Sequence, residues 1–162
     1  TYRIEVPEDS GLSGTFWSML MVEGIPPDSP ETGEGEPEEP GIGITQLLRY
    51  GIQIVTHIGT TGEIDLQILG AQLVRENDGV VMLLDVVNSG ERLVIPQVSA
   101  EAFNAEGKKA AVVTATTKRV FPDTSVRYRL NLSELDGGDY QMLLILDAGG
   151  DNVFGANYTI QL

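Results

Sequence analysis

Apolar and polar residues alternate with period two along most of this 162-residue chain, the pattern of strands that bury one face and wet the other. From residue 64 onward the alternation falls into seven blocks, over residues 64–74, 80–87, 93–103, 110–117, 125–132, 140–146 and 153–162. Turn-forming groups separate them: Asn77-Asp78-Gly79, Asn88-Ser89-Gly90, Glu106-Gly107, Pro122-Asp123, Asp136-Gly137-Gly138 and Gly149-Gly150. Ahead of these, residues 2–6 alternate as a strand, and residues 15–23 read as a strand apolar on both faces, as a sheet centre would be. Residues 42–58 alternate longest of all. One face there reads Ile42, Ile44, Gln46, Leu48, Tyr50, Ile52, Ile54 and Ile58, and Gly51 is the place for a bulge. No segment carries the period and caps of a helix of several turns.

Seven short strands at this spacing predict an immunoglobulin-like β-sandwich over residues 64–162, all-β and complete, with residues 59–63 as a linker. Tyr140, at the start of the sixth strand, fits the tyrosine corner of that architecture. A repeat extends the reading to the front of the chain. Tyr2-Arg3-Ile4-Glu5-Val6 matches Tyr128-Arg129-Leu130-Asn131-Leu132, Gly14-Thr15-Phe16 matches Gly138-Asp139-Tyr140, and Met19-Leu20-Met21-Val22-Glu23 matches Leu143-Leu144-Ile145-Leu146-Asp147. Residues 1–58 are therefore expected to be the last three strands of a truncated first domain of the same kind. Such a remnant would leave an apolar face to be covered by another polypeptide segment.

Composition narrows the function. The net charge of −14, from 24 acids and 10 bases, repels phosphate backbones and anionic lipid, which argues against nucleic acid or a polybasic membrane contact. No apolar stretch reaches the roughly 20 residues of a membrane-spanning helix. The absence of cysteine removes disulfides, thiolate metal sites and cysteine nucleophiles. Residues 23–40 hold seven acids, five prolines and no base, so residues 24–40 are expected to be a disordered acidic loop. Lys108, Lys109, Lys118, Arg119, Arg127 and Arg129 gather most of the bases in one region, either a solvated sheet face or a binding patch.

Phe16-Trp17 opening a strand, then Ile25-Pro26-Pro27, a variable loop and the long alternating strand over 42–58 resemble the end of the first domain of PapD-like periplasmic pilus chaperones. The resemblance covers about a third of the chain. It implies two immunoglobulin-like domains, a periplasmic or cell-surface location and binding of a pilus-like subunit by β-strand pairing along the last strand of the first domain. The family's basic position on that strand falls on Gln53, with Arg49 on the same face. The candidate partner-binding residues are thus Ile42, Ile44, Leu48, Arg49, Tyr50, Ile52, Gln53 and Ile54. The apolar members either face their own domain's core or form a strand-exchange edge. The partner expected is a pilus-like subunit, the missing first half of the domain, or a neighbouring copy of this chain. In the last case the protein is a structural subunit of an extracellular fibre or surface layer.

Chemistry offers little else. His57 is the sole histidine and has no His or Cys with which to hold a metal. No serine lies in a Gly-x-Ser-x-Gly turn, and Gly41-Ile42-Gly43 precedes a strand, so neither a serine hydrolase of that type nor a dinucleotide loop is expected. Asp147, Asp151 and Asn152 around Gly149-Gly150 suit either Ca²⁺ or a tight hairpin. The expectation is a protein without enzymatic activity or cofactor.

Overall fold

The computed structural model describes residues 2–8, 11–25, 47–77 and 79–162, and among them every regular element is a strand. In chain order these are β1 (Gly14–Glu23), β2 (Arg49–Ile58), β3 (Leu66–Glu76), β4 (Gly79–Asn88), β5 (Gln97–Asn104), β6 (Lys109–Thr114), β7 (Ser125–Asn131), β8 (Asp139–Asp147) and β9 (Val153–Gln161). The chain divides into two compact units, residues 1–15 with 57–162 and residues 16–56.

Strands β3 to β9 form two antiparallel sheets, β3-β4-β7 and β6-β5-β8-β9. Alternation dictates which side chains meet between them. Met82, Leu84 and Val86 of β4 and Tyr128 and Leu130 of β7 point inward from the first sheet. Val98, Ala100 and Ala102 of β5 and Tyr140, Met142, Leu144 and Leu146 of β8 do so from the second. Small residues stand beside large ones within the layer, since Ala100 pairs with Leu144 and Ala102 with Met142. The result is one β-sandwich core. All seven strands expected after residue 64 are present, with ends moved by a few residues. β5 starts later because Val94 instead bridges to Val120 outside the sheets.

Long-range bonds hold the connection between β4 and β5. Buried Asn88 donates through Nδ2 to the carbonyls of Arg92 (2.7 Å) and Val120 (2.9 Å), while its Oδ1 accepts from the Gly90 N–H. The Asp65 carboxylate accepts from the Ser89 hydroxyl and from Gln67, and those two bonds, the serine's foremost, hold its pKa below the usual carboxylate value. Tyr140 is buried at the start of β8, and its hydroxyl donates to the Asp136 carbonyl at 3.1 Å.

One expected strand is absent. Residues 2–6 take no strand conformation and Tyr2, Ile4 and Val6 are exposed, although their counterpart Tyr128-Arg129-Leu130 lies within β7. β7 is ordered by its ladder with β4, and residues 2–6 have no such ladder. Sequence alternation alone does not make a strand where no neighbour supplies the main-chain bonds.

Candidate protein-binding ribbon

Among the described residues, β1 and β2 form a two-stranded sheet of their own. Their order is antiparallel: Glu23 meets Arg49, and Met21 and Met19 flank Gly51. Alternation then puts Phe16, Leu20 and Val22 on one side with Tyr50, Ile52 and Ile54, and Trp17, Met19 and Met21 on the other with Arg49, Gly51 and Gln53. A ribbon with this composition would be expected at the centre of a core. Instead Phe16, Trp17, Met19, Leu20, Met21, Val22, Tyr50 and Ile52 are all exposed, as is Leu48 just ahead of β2.

The repeat sharpens the contrast. β1 and β8 share a sequence pattern, so Phe16, Leu20 and Val22 stand where β8 has Tyr140, Leu144 and Leu146. The β8 residues are at most 8% exposed. Their β1 counterparts are exposed by 46%, 38% and 45%. Like side chains are thus covered in one strand and exposed in the other.

The first residues of β1 and the last of β2, residues 14, 15, 57 and 58, belong to the sandwich unit. The Thr15 N–H donates to the Glu91 carbonyl (2.7 Å), and its Oγ1 accepts from the Leu93 N–H (3.0 Å). The same hydroxyl is bonded to His57 Nδ1 at 2.9 Å. The Gly14 N–H donates to Thr61 Oγ1, and the Glu91 carboxylate accepts from the Ser13 hydroxyl and the Glu63 N–H. Gly14 and Gly62 approach so closely that a Cβ on Gly62 would lie 2.6 Å from the Gly14 Cα. His57, read from sequence as a strand-end residue, thus sits in a structural bond to Thr15. Gly14 stands out in the sequence only through the repeat, and Gly62 and Glu91 not at all, because contacts across such separations leave no local pattern.

Of the expected binding residues, Leu48, Arg49, Tyr50, Ile52 and Gln53 are exposed and Ile54 is half-buried. Ile42, Ile44 and the acidic segment over 26–40 lie outside the described residues, as does the first part of the long strand. Arg49 donates from Nε to Glu23 at 2.6 Å, an exposed pair at the end of the ribbon. The sequence pattern points to β2 alone, whereas β1 contributes more exposed apolar side chains, six against Tyr50 and Ile52 in β2. Its two-sided apolar pattern was the available signal.

Other candidates resolve into ordinary surface chemistry. Arg127 forms a two-pronged bond with Asp85, Arg129 does the same with Glu76, and Lys109 pairs with Glu101. The guanidiniums lower the pKa of Asp85 and Glu76 and have their own raised. Lys118 donates to the Arg127 carbonyl beside the Tyr128 ring. Three of the six basic side chains of this region are thus paired with acids. Asp147 accepts from the Gly149 N–H, and Asn152 donates to the Gly149 carbonyl, bonds that shape the β8–β9 hairpin. Among the described residues no three acidic, His or Cys side chains gather as a metal site, and no helix is long and apolar enough to cross a membrane.

Comparison with known proteins found no family model that matches this chain and no curated protein with significant similarity to it.

Proposed function

We propose that this chain is a non-enzymatic assembly protein of the cell envelope that binds a partner polypeptide by β-strand pairing along the β1–β2 ribbon, chiefly at β2. The observation that carries the reading is a core-like strand pair left exposed on both faces. An isolated two-stranded ribbon is at best marginally stable in water, and a third strand with a covered face changes that. Added strands gain main-chain bonds along a free edge, and alternate side chains such as Tyr50, Ile52 and Ile54 provide selectivity.

The resemblance to PapD-like chaperones supports the same reading, as do the strand orders β3-β4-β7 and β6-β5-β8-β9 and the Tyr140–Asp136 bond, features that suit an immunoglobulin-like second domain. In this proposal the ribbon is part of a first domain of that type, completed by the partner. Gln53 in place of a basic residue removes the family's carboxylate grip on this strand, so selection would rest on apolar side chains and main-chain pairing.

The test is site-specific photocrosslinking from Tyr50 in the native host, with Leu48→Asp/Ile52→Asp as the control. Capture of a polypeptide through an extended segment, lost in the double variant, is the expected result. Absence of any crosslink, or capture indifferent to the two aspartates, would remove the proposal. Crosslinks exclusively to further copies of this chain would favour the structural-subunit form of the same idea.

A further inference from the structure

The sandwich has four edge strands, β3, β7, β6 and β9. An edge displays a row of N–H and C=O groups that another strand can join unless bulges, charges or shortness prevent it. Three of these edges are blunted. β3 has a register break between Ile68 and Gly70 and ends in Arg75 and Glu76. β7 carries Arg127 and Arg129. β6 is six residues long, begins with Lys109 and meets β5 with a register break.

β9 has none of these devices. Its sequence, VFGANYTIQ, contains no charge and no proline, and it pairs with β8 at all nine positions without a break. Leu162 exchanges both main-chain bonds with Gly138. In an antiparallel ladder the direction alternates by residue, so Gly155, Asn157, Thr159 and Gln161 aim their main-chain groups away from β8. Beside this edge, Tyr158 and Ile160 border a cleft of about 420 Å³ whose far side is Ala71, Leu73 and Met82.

We propose that β9 is a strand-addition edge whose occupant is β9 of a second copy of this chain, related by a two-fold axis. Charge argues for that occupant. With a net charge of −14, two copies repel over most of their surface, and β9 meets itself without opposing any acid. A register centred on Asn157 sets Gly155 opposite Thr159 and Val153 opposite Gln161, all neutral. On the inward side it sets Phe154 of the second copy opposite Ile160, where its ring covers the apolar cleft. The pairing makes one continuous sheet from two four-stranded ones and closes, because each copy has a single β9 edge. It involves neither β1 nor β2 and stands apart from the ribbon proposal.

Sedimentation equilibrium of the full chain tests it, together with concentration-dependent amide exchange. The expected result is a reversible dimer of twice the 17.5 kDa chain mass, with the Gly155, Asn157 and Thr159 amides gaining protection as concentration rises. Asn157→Lys opposes two like charges at the axis and should weaken the dimer about two- to fivefold, even though it reduces the net negative charge. Thr159→Pro removes one outward N–H without disturbing the β8 ladder and should act in the same direction. Ile52→Asp should leave the dimer unchanged. A strictly monomeric chain at millimolar concentration overturns the proposal, as does a dimer insensitive to Asn157→Lys and Thr159→Pro, or one abolished by Ile52→Asp.

Discussion

Gly14 holds a φ of +80°, and a Cβ at that position would run into the Glu91 carbonyl oxygen. Gly14→Ala should therefore cost about 2 kcal/mol through backbone strain alone, read as a lower urea midpoint. Asn88→Ala should be comparably damaging, about 2–3 kcal/mol, because it deletes three bonds of a fully buried side chain, those to the carbonyls of Arg92 and Val120 and the one from the Gly90 N–H. Tyr128 behaves differently. Its hydroxyl reaches the Lys118 carbonyl only at 3.5 Å, and burial pushes its pKa up to about 12. The raised folded value means its contribution is intact below the ordinary tyrosine pKa near 10 and is lost as pH rises from there through the folded value. Tyr128→Phe should change stability little at pH 7 and flatten the alkaline decline between pH 10 and 12. An equal decline in both proteins would disprove that assignment. None of this was visible in the residues alone: Asn88 read as an ordinary turn former, and its bond to Val120 spans thirty-two positions.

At the scale of elements, β1 and β8 pose the informative comparison, since like sequences meet unlike surroundings. Leu144→Ala removes a fully buried side chain and should cost about 2–5 kcal/mol. Leu20→Ala, its counterpart in β1, should cost under about 1 kcal/mol, because the side chain is already in contact with water. Denaturant titration of the two variants checks this. An equal loss in both would mean that the ribbon face is covered in solution. The seven later strands were legible because each alternates cleanly and each is bounded by Gly, Asn, Asp or Pro. The strand expected over residues 2–6 was not realised, since alternation states which face would be buried and not whether a neighbour exists.

For the whole molecule, charge sets the dependence on pH. Arg129 and Arg127 hold Glu76 and Asp85 below their ordinary values. A depressed folded pKa gives stability that is complete above the unfolded carboxylate values and lost as pH falls through the folded ones. Stability should thus decline below about pH 4.5, and the Glu76→Gln/Asp85→Asn variant should show a shallower acid limb by circular dichroism. Both pairs are exposed, so added salt should weaken the same contribution.

Strand periodicity, the turns between strands, the acidic character and the lack of cysteine are all legible in the residues, because each is a property of neighbouring positions or of composition. The sequence also marked β2 as an apolar alternating strand. Whether such a strand is core or surface is decided by what lies across from it, and that became visible in the folded chain: β8 is sandwiched, whereas among the described residues β1 and β2 pair with each other and stay exposed. The same holds for the bonds joining Thr15, His57, Glu91 and Leu93, which bring together residues whose separation in the chain hides their proximity.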